Sequence, residues 1–305
     1  MSIARNGDVE IFYESFGDPA QPTLLLVNGL GSQCINFADD WCELFVAEGY
    51  RVVRFDNRDV GLSSKLEGVD YSLADMASDA IAVLDALGVG KAHVMGLSMG
   101  GMIVQRLAID HSDRLLTVTS VMSRTGEPGF GDSTPEALAF LMAPPAESRD
   151  AYIDNQIAAL HVYGSKPEWL EDDQARARAA AAYDRCFHPS GVGRQMMAVG
   201  RDGSRDAELK GVDLPTLVMH GSRDTLIQPS GGRHTAEVIP GARYVEIEGM
   251  GHDYPRAVWQ TWVSTWSDFV RTSDAAHPSA STRQVHSIPT SPGAAAARGA
   301  SPTSR

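Results

Sequence analysis

Ser98 stands at the centre of Gly96-Leu97-Ser98-Met99-Gly100, with a β-forming run before it and an apolar helical pattern after it. A serine at a sharp strand-to-helix turn has its Oγ pushed out into a cleft. Glycines two residues to either side relieve the backbone crowding, and the following helix N-terminus favours a developing negative charge. A serine hydroxyl is a weak nucleophile at neutral pH, so it needs a base within reach and a carboxylate to orient that base.

Of nine histidines, His252 is the best placed, in the glycine-rich loop Glu248-Gly249-Met250-Gly251-His252 after the last predicted strand. His220 ends a strand and His93 lies inside one, so both read as structural. His111 and His234 fall on helix surfaces, His161 and His188 in the middle segment, and His277 and His286 in the tail. The acid is Asp224, a short loop after the penultimate strand in His220-Gly221-Ser222-Arg223-Asp224. The buried run ending Val27-Asn28-Gly29-Leu30-Gly31-Ser32 supplies a glycine-rich turn, and the main-chain amides of Leu30 and Met99 are the expected donors to an oxyanion. Together these residues suit acyl transfer to water, with Ser98 attacking, His252 relaying the proton and Asp224 fixing the imidazole.

Elements able to hold such residues alternate along the first 120 or so positions. Val9–Phe16, Thr23–Val27, Arg51–Phe55, 92–95 and Leu115–Val121 read as strands; 36–48, 73–87 and Met99–Asp110 read as helices. The rhythm implies right-handed crossovers and a mostly parallel sheet flanked by helices. It breaks near 123–210, with a Gly/Pro-rich loop at 125–135 and helical stretches at 135–142, 149–161 and 171–186, then resumes at 215–220, 230–239, 244–247 and 257–270. The expected organisation is a core of 1–122 and 211–271 interrupted by a helical cap at 123–210. Residues 272–305, mostly Ser, Thr, Pro and Ala with Val285 and Ile288 as the only large aliphatics, bury too little to order and are expected to form a disordered tail.

Composition narrows the field further. The chain has 305 residues, 43% of them hydrophobic, enough for a sizeable core. With 26 Lys+Arg against 39 Asp+Glu, net −13, it lacks the basic surface that phosphate backbones require, so nucleic acid is disfavoured. The longest apolar runs are strand-sized, so no transmembrane segment is expected. The polar first ten residues do not form a signal peptide, which makes the cytoplasm the expected location. Cys34, Cys42 and Cys186 are an odd set without metal-type spacing and read as reduced thiols, with no metal or cofactor expected. Arg54, Asp56, Arg58 and Asp59 crowd the segment 56–63, which reads as a loop pinned by local salt bridges and Gly61.

Across roughly residues 8–271 the chain resembles α/β-hydrolase fold carboxylesterases, most of all the aclacinomycin methylesterase group and related actinobacterial lipase/esterases. The likeness runs through Gly7-Asp8-Val9-Glu10, Phe16-Gly17-Asp18-Pro19-Ala20, the oxyanion turn, the 56–63 segment, the serine elbow, Leu214-Pro215-Thr216-Leu217-Val218 and the loop before His252. The order Ser98, Asp224, His252 is the one that family uses. The resemblance implies the α/β-hydrolase fold with a helical cap, and a Ser–Asp–His esterase without a cofactor. Asn28 stands where many members have histidine. The cap sequence is less alike, so the substrate does not carry over.

Phe130, Tyr152, Tyr163, Trp169, Tyr183 and Phe187 lie in the middle segment. If part of that set faces Ser98, the pocket is apolar, suited to an ester of an apolar acyl or ring substrate. An acyl-thioesterase, a phospholipase or lipase, and a cofactor-free haloperoxidase or lactonase would use the same three residues. Epoxide hydrolases and haloalkane dehalogenases need an aspartate at position 98, and a purely binding role leaves the triad without a reason.

Overall fold

Leu24, Leu25 and Leu26 are all completely buried, the mark of a strand covered on both faces. The computed structural model describes residues 2–276. Its strands are β1 (Ser2–Asn6), β2 (Val9–Phe16), β3 (Thr23–Val27), β4 (Arg51–Phe55), β5 (Ala92–Leu97), β6 (Leu115–Val121), β7 (Thr216–Gly221) and β8 (Arg243–Ile247). They form one sheet in the order β1-β2-β4-β3-β5-β6-β7-β8. β2 runs antiparallel to β1 and β4, and every other pairing is parallel.

The helices are α1 (Asp39–Ala47), α2 (Leu73–Ala86), α3 (Met99–Asp110), α4 (Pro135–Leu141), α5 (Arg149–Tyr163), α6 (Asp172–Arg185), α7 (Pro189–Asp202), α8 (Asp206–Leu209), α9 (Pro229–Val238) and α10 (Trp259–Ala276). Alternate residues of each central strand feed opposite cores, as the two-residue side-chain period requires. Leu25 and Val27 pack with Met76 and Val83 of α2 and Ile103 and Leu107 of α3. Leu24 and Leu26 pack with Trp41 and Phe45 of α1 and Trp262 and Trp266 of α10. On that second face Trp41 meets Trp262 edge-on at 6.0 Å, and Phe45 meets Trp266 at 5.3 Å.

The central elements match the sequence reading, and the departures are local. β1 is an added edge strand, held antiparallel to β2. α7 and α8 occupy a stretch without a helical signal of its own; Gly191, Gly193 and Gly200 lower the helix propensity of α7, which packing supplies instead. α10 runs five residues into the segment expected to be a tail. The Thr272 hydroxyl bonds the Asp268 carbonyl, and the Ser273 hydroxyl the Phe269 carbonyl, within that extension. Residues 277–305, the rest of the expected tail, lie outside the described residues. Helices α4 to α8 form one insertion between β6 and β7.

The segment 56–63 differs from its expected local pairing. Asp56 pairs with Arg185 of α6 at 2.8 Å, Asp59 with Arg194 of α7 at 2.8 Å, and Arg58 with Asp79 of α2 at 2.6 Å. The charges are therefore tied to distant elements, two of them in the insertion. Asp59 takes a positive φ of 73°, and its carboxylate accepts from Arg194 of α7.

Candidate active site

The chain leaves β5 and enters α3 through a single residue, Ser98, at φ 58° and ψ −120°. That conformation costs a non-glycine residue about 1–3 kcal/mol and persists only where its surroundings over-determine it. Here they do. Ser98 N–H donates to Val121 O at 2.9 Å, and Ser98 O accepts from Gly101 N at 2.9 Å and from Ser123 Oγ at 2.8 Å. A Cβ on Gly96 would come within 2.0 Å of Gly100 O, and one on Gly100 within 2.1 Å of Val27 O. Both glycines are thus required for α3 to cross so close to β5 and β3. Among the described residues Ser98 Oγ makes no hydrogen bond, to His252 or to any other protein group.

The turn after β3 lies directly against this serine. A Cβ on Gly29 would sit 3.2 Å from Ser98 Cβ and 3.7 Å from its Oγ. Asn28, 1% exposed, donates from Nδ2 to Gln33 O at 3.1 Å and closes the turn from within. Neither the Leu30 nor the Met99 main-chain N–H meets a protein acceptor among the described residues. Met99 is the first residue of α3, and Leu30 follows the Gly29 that packs against Ser98.

His252 and Asp224 are brought together from the loops after β8 and β7. His252 Nδ1 lies 2.7 Å from Asp224 Oδ2. Because a carboxylate only accepts, Nδ1 is the donor in this contact, which directs Nε2 away from Asp224. Asp224 is 2% exposed, and Leu226 N–H and Ile227 N–H both donate to its Oδ1 at 2.9 Å. Burial pushes its pKa up, but His252 and His220 beside the carboxylate outweigh that and hold it below the usual value. Ser98, Asp224 and His252 follow β5, β7 and β8, at the carboxyl edge of the parallel sheet where ligands bind in open α/β folds.

His220 and Ser123 take part in this arrangement, although the sequence marks neither for it. Fully buried His220 has Nε2 2.7 Å from Ile227 O and 3.3 Å from Asp224 Oδ2. Its position four residues before the acid was the available signal. The insertion also grips the histidine loop: His252 N–H donates to Tyr163 O at 2.6 Å, Gly251 N–H to Ser165 Oγ at 3.0 Å, and Ser165 N–H to Asp253 Oδ1 at 2.9 Å.

The aromatic side chains of the insertion divide. Tyr152, Tyr183 and Phe187 cluster with one another, and Phe130 stacks on His234. Tyr163 meets the His252 ring edge-on at 6.0 Å. Cys34, Cys42 and Cys186 are free thiols, and burial pushes the Cys42 thiol up to about 12, which removes it as a rival nucleophile. Among the described residues no cluster of three or more His, Cys, Asp or Glu side chains is arranged to hold a metal ion. No helix there is long and apolar enough to cross a membrane.

Residues 22–254 match the model of a family described as alpha/beta hydrolase fold. The chain is 33% identical to rhodomycin D methylesterase DnrP of Streptomyces peucetius, over 84% of this chain and 93% of that protein. It is 34% identical to rhodomycin D methylesterase DauP of Streptomyces sp. strain C5, over 82% and 91% of the two chains. Among solved structures, the enol-lactonase from Burkholderia xenovorans LB400 superposes with a TM-score of 0.69 at 25% identity, covering 88% of this chain and all (100%) of that one. The sheet order, the serine turn at its carboxyl edge and these matches have one reading: the chain belongs to the alpha/beta hydrolase fold family.

Proposed function

We propose that the protein hydrolyses a carboxylic ester of an apolar acyl or ring substrate through an acyl-enzyme. Ser98 attacks the ester carbonyl while His252 Nε2 takes its proton, and the Leu30 and Met99 amides hold the oxyanion. His252 then protonates the departing alcohol, and water, activated in the same way, releases the acid. Asp224 stays ionised and keeps the imidazole in the Nδ1–H tautomer. The observation that carries this reading is the Asp224–His252 pair, 2.7 Å apart, on the same sheet edge as a serine held at φ 58°. The methylesterase relatives support an ester, a methyl ester among them, as substrate, and an uncharged ester fits the acidic net charge of −13. An anionic substrate, lipid surface or nucleic acid would have to approach against that field. In this reading 123–210 is a cap over a core formed by the segments on either side of it, and the enzyme works in the cytoplasm.

A lactone is a cyclic ester opened by the same steps, and the enol-lactonase neighbour makes it the second reading. A fluorophosphonate probe tests the nucleophile: the wild type is labelled and Ser98→Ala is not. Labelling that persists in Ser98→Ala would move the nucleophile elsewhere. A series of p-nitrophenyl and methyl esters, a lactone, an acyl-CoA and a phospholipid, compared by kcat/KM, then separates esterase from lactonase, thioesterase and lipase.

A further inference from the structure

The turn that carries Leu30 is held partly by the insertion. Ser32 N–H donates to Gly29 O at 3.2 Å, and Gly31 has a positive φ of 67°, the pattern of a type II turn with glycine as its third residue. The Gly29 carbonyl and the Leu30 N–H belong to one peptide unit. Engaging the carbonyl with Ser32 therefore turns the N–H the opposite way, where it meets no protein acceptor among the described residues. The next peptide unit, Leu30–Gly31, is fixed from outside the turn. Its N–H donates to Gln195 Oε1 at 2.9 Å, and Gln195 Nε2 donates to Arg58 O at 2.8 Å. Gln195 lies on α7, is completely buried, and spends both ends of its amide on the main chain of two core loops.

Val192, one helical turn earlier, packs on the same glycine; a Cβ on Gly31 would lie 3.1 Å from its Cγ2. Arg194 anchors the helix beside it with two 2.8 Å hydrogen bonds to Asp59. A buried glutamine bonded to two main-chain groups that would otherwise be orphaned is a device for fixing loop geometry. We infer that Gln195 is a positioning residue for the oxyanion hole, so that the hole is complete only when α7 is docked on the core. The inference rests on the esterase reading above, and it assigns the insertion a part in transition-state stabilisation.

The test uses the full chain. Gln195→Met conserves volume and loses both hydrogen bonds, and Gln195→Asn keeps an amide but withdraws it by one methylene; Arg201→Ala, an exposed residue of the same helix, is the control. A p-nitrophenyl ester gives kcat and KM. A trifluoromethyl ketone probes the hole itself: Ser98 Oγ adds to the ketone carbon, its proton passes to His252, and the carbonyl electron pair becomes an oxyanion. In either Gln195 variant that folds, kcat is expected to fall about 10–100-fold, with KM within about threefold and ketone affinity falling by the same factor as kcat. Arg201→Ala should match the wild type. A folded Gln195 variant with wild-type kcat, or one that loses kcat but keeps full ketone affinity, overturns the inference. Activity that survives Ser98→Ala would instead sink the esterase reading, so the two failures are distinguishable.

Discussion

The carboxylate of Asp224 has no free acceptor to lose. Oδ1 takes two main-chain N–H groups, and Oδ2 faces the ring nitrogens of His252 and His220. Asn at this position would keep an acceptor for the main chain but turn an NH2 group toward His252. The imidazole would then have to accept at Nδ1 and carry its proton on Nε2, where a base is needed. Asp224→Asn is therefore expected to lower kcat by about 10⁴, as in the measured serine-protease case, with KM little changed. A steady-state assay checks this, and an unaltered kcat would place the acid elsewhere. The residues proposed for chemistry could be picked out of the sequence because each sits in a glycine-marked loop at the end of a strand. His220 could not be assigned in the same way. Its direction depends on the approach of α9, where a Cβ on Gly232 would come within 2.4 Å of His220 Nδ1. Such a close approach between distant segments has no signature in local sequence.

At the scale of elements, α7 shows how far local propensity misleads. It carries Gln195 and Arg194, and it also carries three glycines, each costing about 1 kcal/mol relative to alanine in a helix interior. The glycines differ in what surrounds them. A Cβ on Gly191 would come within 2.4 Å of Asp59 O, whereas nothing lies within 4 Å of a Cβ on Gly193 or Gly200. Gly191 is thus required for α7 to approach the 56–63 loop, and the other two only weaken the helix. Gly193→Ala and Gly200→Ala are expected to stabilise the protein by about 0.5–1 kcal/mol each, and Gly191→Ala to destabilise it through a backbone clash. Urea midpoints for the three variants decide the matter. A gain at Gly191, or losses at both Gly193 and Gly200, would contradict this account of the helix. The ion pairs of the 56–63 loop follow the same logic: their crowded charges were visible in sequence, but their partners on α6, α7 and α2 were set by packing.

For the whole molecule, the parallel sheet was legible because its central strands are short, rich in apolar and β-branched residues and separated by helices of clear periodicity. The edge strand β1 and the insertion were less so, since their order comes from docking. One buried group in the well-read centre gives the entire fold a pH dependence. His93 on β5 is 1% exposed, its Nδ1 2.9 Å from Thr117 Oγ1, with the edge-on ring of Trp266 centred 5.8 Å away. Burial pushes its pKa down from 6.5 to about 4, so the folded protein keeps the ring neutral where the unfolded chain would protonate it. Between those two values the unfolded state binds more protons, and stability must fall as pH falls, by roughly 3 kcal/mol in total. Above pH 6.5 or so His93 contributes no slope. Asp253, whose pKa is raised chiefly by burial, acts with the opposite sign, because its protonation favours the folded state. Comparing wild type with His93→Leu cancels that term. The leucine variant strands the Thr117 hydroxyl and should be less stable at pH 8, yet its stability should decline less steeply between about pH 6.5 and 4. Urea unfolding across that range at constant ionic strength measures the difference, and parallel curves for the two proteins would show that His93 is not the group responsible.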